Sequence, residues 1–136
     1  MEQVALPTAG LLMLKDKKLL LTYSRNKKAW YLPGGKVDRD ETSKEALIRE
    51  IEEELNVQLD PQLLTFCYHI TAPAYGEERN IIMEQDCYTY PVMNNIQASN
   101  EIEAVKYFSV EEYLKEPAQV VGVIMAFDYL QKDGFI

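Results

Sequence analysis

The chain is short of positive charge, cysteine and histidine, and each shortage narrows what it can do. Lys and Arg total 14 against 22 Asp and Glu, a formal net charge of −8. A surface of that sign is a poor match for a nucleic-acid polymer, which is bound through basic residues. A small nucleotide stays open as a partner, because bound cations can bridge acidic protein and anionic ligand. The 2 cysteines, Cys67 and Cys87, lie far apart and lack CxxC spacing. We expect them to be reduced, partly buried thiols of a cytosolic protein. The single histidine, His69, has no neighbouring Cys or His with which to build a zinc site and reads as structural. No apolar run reaches the length that crosses a bilayer. Met1-Glu2-Gln3 has neither the basic start nor the apolar core of a signal peptide. The expectation is a cytoplasmic protein with no membrane partner. Repeats and Gly/Ser/Pro-rich linkers are also missing, which predicts a single domain over residues 1–136, large enough for a real core.

What is present reads as strands interrupted by helices. Val4 to Leu14 is apolar apart from breaks such as Pro7 and Gly10, and predicts a long, irregular strand. The polar turn Lys15-Asp16-Lys17-Lys18 and the run Leu19 to Tyr23 make a hairpin of it. Ser24 to Lys28 is a basic loop, and Ala29 to Leu32 a short strand stopped by Pro33-Gly34-Gly35. Thr42 and Glu45 fit a capping box, in which hydroxyl and carboxylate each satisfy a backbone donor. At about 100° per residue, Leu47, Ile48, Ile51 and Leu55 form one packing stripe. Asn56 stands where that helix should end, a residue that tolerates the left-handed cap. Leu63 to Ile70 and Asn80 to Tyr90 read as strands joined by a loop, and Glu103 to Phe108 as another. Val110 to Leu114 and Ala118 to Leu130 read as helices. Together these predict an α/β sandwich with mixed strand pairing.

One feature of the first helix is a physical oddity. Glu50, Glu53 and Glu54 crowd onto the face beside the packing stripe, with Ala46 leaving room. Like charges three and four residues apart destabilise a helix unless a cation offsets them. Hard divalent ions such as magnesium favour that kind of all-oxygen site.

The residues Gly35, Glu41, Arg49-Glu50, Ile51, Glu53-Glu54, Asn56 and Val57 resemble the signature of the Nudix hydrolases. That signature is Gly, five residues, Glu, seven residues, Arg-Glu, an aliphatic residue, any residue, Glu-Glu, any residue, Gly and an aliphatic residue. Asn56 alone departs, standing at the last glycine. It keeps access to positive φ, so the departure is mild. The flanking runs Trp30-Tyr31-Leu32-Pro33 and Val105-Lys106-Tyr107-Phe108-Ser109 agree with the resemblance.

The resemblance implies a Nudix-type α/β/α sandwich with a mixed β-sheet. It also implies a MutT-like, metal-dependent pyrophosphohydrolase that cleaves a diphosphate linkage in a nucleoside di- or triphosphate derivative by water attack on phosphorus. Glu50, Glu53, Glu54 and the Gly35 carbonyl would hold Mg2+ or Mn2+, with Glu103 or Glu101 as a further ligand. Glu53 or Glu50 would be the general base within the signature, with Glu101, Glu103, Glu77, Glu78 and Glu84 as candidates outside it. Arg49 and Glu41 would brace the glutamates, a role suited to a bidentate guanidinium. Lys36 foremost, then Arg25, Lys27, Lys28 and Arg79, could meet phosphates. Tyr31, or else Tyr23, Tyr68, Tyr75 or Phe108, could stack on the leaving group. The partner would be a small nucleoside-diphosphate-containing molecule, and a homodimer is an open expectation. The rival reading is a Nudix domain that senses a nucleotide or nucleotide sugar without cleaving it. Such domains often lose signature glutamates, and this chain keeps them all.

Overall fold

The computed structural model describes residues 2–136. Two 4-stranded sheets carry the fold. The first has the order β5-β1-β7-β6, formed by Gly34–Lys36 (β5), Val4–Leu12 (β1), Ile81–Thr89 (β7) and Thr65–Pro73 (β6). The second joins Leu14–Lys15 (β2), Lys18–Ser24 (β3) and Ala29–Tyr31 (β4), with Ile102–Phe108 (β8) on the other edge of β3. β1 runs parallel to β7 and antiparallel to β5, so the first sheet is mixed as expected. The helices are Ser43–Leu55 (α1), Val110–Tyr113 (α2) and Val121–Lys132 (α3). Among the described residues, no helix is long and apolar enough to cross a membrane.

Alternation along the strands builds a core on each face of the first sheet. Leu11 of β1 points toward α1, where it joins Leu20, Leu47, Ile51, Leu55 and Tyr88. Its neighbour Leu12 points the other way, into a cluster with Leu19, Leu21, Ile70, Phe108 and Phe127. The stripe expected of α1 holds, with Leu47, Ile51 and Leu55 fully buried. Its capping box and left-handed Asn56 (φ 58°) are both formed.

Several boundaries differ from expectation. The apolar run from Val4 is two strands, because β1 serves one sheet while β2 turns into the other. The hairpin is confined to β2 and β3, across Asp16 and Lys17, which both have positive φ (53° and 62°). The short strand does stop before Pro33, as expected, but Gly34 and Gly35 open a new strand, β5. Gly34 has φ +140°, and a Cβ there would lie 2.0 Å from the Ala9 carbonyl oxygen, so only glycine lets the two backbones pair this closely. β6 extends beyond Ile70 to Pro73 because its ladder with β7 continues to Ile82. The last helix starts at Val121 rather than Ala118. The Val120 amide instead donates to the hydroxyl of fully buried Tyr113, 2.7 Å away.

Candidate active site

α1 is fixed at both ends before its glutamates do anything. At the start, the Thr42 hydroxyl accepts from the Glu45 amide at 3.1 Å, and the Glu45 carboxylate accepts from the Thr42 amide at 2.9 Å. At the end, the loop before β8 covers the free carbonyls. The amides of Gln97 and Ser99 donate to the carbonyls of Leu55 and Glu54, each at 2.9 Å. The side chains of Ser99 and Asn100 both donate to the Glu53 carbonyl. This seal answers the unsatisfied acceptors of a helix end, and it delivers Glu101 to the site.

On one side of α1, Arg49 gathers acceptors. Its guanidinium forks onto Glu41, reaches Glu50 Oε1 at 2.9 Å and donates to the Lys36 carbonyl at 3.1 Å. Asp38 and Glu53 lie farther off, at 3.5 and 3.6 Å. The Asp38 amide also donates to Glu41 at 2.9 Å. These contacts hold Glu41 below the ordinary carboxylate range, chiefly through the bond from Arg49. Although Arg49 and Glu50 leave the helix about 100° apart, the long arginine side chain curls back to meet its neighbour.

The other side faces a cleft of about 390 Å³ between the two sheets, lined by Glu50, Glu54, Glu101, Lys36, Lys27 and Tyr31 among others. Glu54 Oε1 accepts from the Gly34 amide at 3.1 Å. Burial pushes its pKa up to about 8, against the opposing pull of that hydrogen bond, and the charges of Glu50, Glu101 and Glu53 add to the rise. Glu50 is also raised, again mainly by burial, which outweighs its bond from Arg49. A Cβ on Gly35 would sit 2.5 Å from the Glu50 carboxyl carbon. Glycine there leaves room for the carboxylate to lie against the main chain.

The donor set tests well for a hard divalent ion. It consists of carboxylate oxygens held away from water, with a glycine main chain beside them, and Glu54 has no ion pair among the described residues. Among those residues, no three His, Cys, Asp or Glu side chains converge closely enough to enclose an ion by themselves. Magnesium is ordinarily held by one or two carboxylates, with waters and substrate phosphates completing its shell, so an open arrangement suits it better than an all-protein cage.

The predicted site residues divide by place. Glu50, Glu54, Gly35, Lys36 and Tyr31 line the cleft, joined by Glu101, Lys27, Tyr75 and Glu77. Glu53 does not line it; its carboxylate is exposed and turned toward Arg49. Glu103 and Arg25 pair with each other at 3.7 Å outside the cleft, and Arg25 donates to the Asn100 carbonyl. Of the two late-loop glutamates, then, it is Glu101 that reaches the cleft, steered by a 2.7 Å bond from the Ser24 hydroxyl. Glu84 is held elsewhere by His69 and Thr71 on the first sheet. Phe108 is core, and Tyr68 bonds Asp133 near the C-terminus. Cys67 and Cys87 are both free, and burial lifts the Cys87 thiol to about 12, far from a nucleophile.

Sequence reasoning missed Thr8 and Gln85, two polar residues on the cleft that are each only 8% exposed. The signal was available for one of them: Gln85 stands between Met83 and Cys87 at inward positions of one strand, where an apolar residue is the norm.

The NUDIX domain family model matches residues 5–125. The chain therefore belongs to the Nudix family and is an enzyme of the Nudix hydrolase type, acting on phosphoric anhydride bonds. No protein of curated function matches the sequence. Among solved structures, the MutT Nudix hydrolase of Burkholderia pseudomallei is similar at 23% identity, covering 90% of this chain and 95% of that one, with a TM-score of 0.72. The MutT protein of Methanosarcina mazei matches at 20% identity over 98% of both chains, with a TM-score of 0.78. A bifunctional NMN adenylyltransferase/ADP ribose pyrophosphatase from Francisella tularensis, complexed with AMP and a Mn ion, matches at 21% identity and a TM-score of 0.73. That alignment covers 96% of this chain and 42% of the larger protein. At these identities the likeness is one of fold.

Proposed function

We propose that this chain is a metal-dependent pyrophosphohydrolase that cleaves a diphosphate linkage in a nucleoside di- or triphosphate derivative. The observation that carries the reading is Glu54: a carboxylate withdrawn from water at a cleft, beside Glu50 and Glu101, with no ion pair among the described residues to neutralise it. A site that raises carboxylate pKa values this way favours a cationic partner.

One or two of the carboxylates of Glu50, Glu54 and Glu101, with the Gly35 carbonyl, would hold Mg2+ or Mn2+, which when bound would neutralise phosphate charge and acidify a water. Water attacks phosphorus, the bridging P–O bond breaks, and the water proton passes to a carboxylate, with Glu50, the signature base candidate that lines the cleft, in that role. Arg49 and Glu41 fix Glu50 so that its position does not drift as charge develops. Lys36 makes no ion pair among the described residues and is free to meet a phosphate. Tyr31 and Tyr75, edge to face with ring centres 6.0 Å apart, supply an aromatic wall. We take residues 1–136 to act as one catalytic domain, in the cytoplasm, on a small-molecule substrate and with homodimerisation open to it.

The test is a substrate panel of nucleoside triphosphates, nucleotide sugars, dinucleotides and ADP-ribose, with magnesium or manganese. ADP-ribose is included because of the pyrophosphatase named in the Francisella protein. We expect metal-dependent release of phosphate or pyrophosphate from at least one compound, and its loss on chelation. Tight binding without turnover would overturn the hydrolase reading in favour of a sensor.

A further inference from the structure

The cleft carries two polar side chains that the reaction does not use. Thr8 of β1 and Gln85 of β7 are register partners in the parallel ladder. Both are nine-tenths buried, and both line the cleft among Leu6, Leu32 and Met83. The Thr8 hydroxyl is buried with no hydrogen-bond partner among the described residues. The Gln85 side chain makes one weak bond, accepting from the Cys87 thiol at 3.7 Å, which leaves its amide hydrogens unused. Gly10 keeps the space the amide occupies, since a Cβ there would lie 3.0 Å from the Gln85 amide nitrogen. Unsatisfied buried polar groups are costly and rare in folded proteins. Where they line a pocket with apolar walls, they are the means by which a ligand is oriented and selected.

We propose that Gln85 and Thr8 are specificity-determining residues that read the hydrogen-bonding edge of a nucleobase. This rests on the pyrophosphohydrolase reading and names the part of the substrate that enters the cleft beyond the glutamates. A sugar would bring several hydroxyls, more than two neighbouring polar groups could satisfy. A phosphate would want cations, and Leu6, Thr8, Thr22, Leu32, Met83 and Gln85 are all neutral. A planar heterocycle has two apolar faces and a polar edge, which matches apolar walls with an amide and a hydroxyl between them. The free amide hydrogens of Gln85 call for an acceptor on that edge, and the Thr8 hydroxyl can either donate or accept.

The test measures binding of AMP, GMP, CMP, UMP and ribose 5-phosphate by calorimetry. None of these contains a phosphoric anhydride, so binding is read apart from hydrolysis. At least one nucleotide should bind roughly tenfold or more tighter than ribose 5-phosphate. Gln85→Leu should weaken that nucleotide by roughly tenfold, the worth of one good hydrogen bond, and change the ranking of the four bases. Its Tm should stay close to the wild-type value, because the amide makes only one weak bond within the protein. Thr8→Val should act in the same direction with a smaller effect. Equal binding of ribose 5-phosphate, or no change in ranking with either variant, would overturn the proposal. So would a uniform loss of binding that follows a lower Tm, the mark of a merely structural role. Base-selective binding that responds to Gln85→Leu in a protein that hydrolyses nothing would support the base site and sink the hydrolase reading. Hydrolysis with no preference among bases would do the reverse.

Discussion

The two sides of α1 handle the same kind of charge in opposite ways. On the Arg49 side, Glu41 and Glu50 are met by guanidinium donors, and the Lys36 carbonyl and Asp38 amide are drawn into the same network. On the cleft side, Glu54 has one main-chain donor, while Thr8 and Gln85 have almost nothing. A network that satisfies itself is rigid, and Glu50, held by Arg49 and also lining the cleft, is where it meets the binding side. A surface that leaves its polar groups unsatisfied raises its own free energy, and a ligand recovers the difference on binding. The separation of these two states by the width of one helix distinguishes the groups that brace from the groups that bind.

Three substitutions would break or sharpen that contrast, and a fourth probes a group apart from it. The largest effect on activity is expected from Glu54→Gln, which should lower kcat/KM by more than about 100-fold, since even outer partners of a metal ligand are worth about 10- to 100-fold. The same variant should keep or raise the Tm of the metal-free protein, because it removes a poorly compensated buried carboxylate. Gly35→Ala should follow, with up to about a 100-fold loss in kcat, as its Cβ displaces the Glu50 carboxylate from 2.5 Å away. Arg49→Lys should cost about 10- to 100-fold in activity. Unlike Glu54→Gln, it should also lower the denaturant midpoint, because lysine cannot span Glu41, Glu50 and the Lys36 carbonyl together. If Glu54→Gln proves as destabilising as Arg49→Lys, the division between brace and binder is wrong.

The smallest effect lies away from the helix. His69 is held between Asp86 at 2.8 Å and Glu84 at 2.7 Å, and these bonds, Asp86 first, raise its pKa. A histidine raised in the folded state contributes stability that is complete below its unfolded pKa of about 6.5 and is lost as pH rises through the higher folded value. Urea titrations should therefore separate the wild type from His69→Gln at pH 5.5, and the gap should narrow at alkaline pH. Activity at neutral pH should be unaffected. A gap that widened with pH would show that the histidine is held neutral instead.

What could be read before any coordinates was what depends on near neighbours in the chain. The capping box, the Leu47-Ile51-Leu55 stripe and the Asn56 stop are set by residues a turn or two apart, and all three are present. What could not be read depends on strands meeting across the chain. Gly34 and Gly35 look like a turn until β1 is laid against them. Thr8 and Gln85 become a pair only through the parallel ladder. Glu101 and Glu103 are separated by register: a shift in the β3–β8 ladder between Tyr23 and Ser24 brings the Ser24 hydroxyl to Glu101, while Glu103 stays with Arg25 outside. Glutamates in the signature divide for a similar reason, since a helical wheel places Glu53 beside Glu54 but does not show which one faces the gap between the sheets.

The parallel ladder sets an order of events as the protein is made. β1 leaves the ribosome well before its partner across the ladder, which begins at Ile81. Until β7 is synthesised, β1 can pair only with the short β5, and the inner face bearing Thr8 has no opposite strand. Non-local parallel pairing of this kind is slow to form and leaves strand edges open to other chains meanwhile. The nascent chain therefore carries an apolar strand that must wait for β7, far along the sequence, before both its edges are covered.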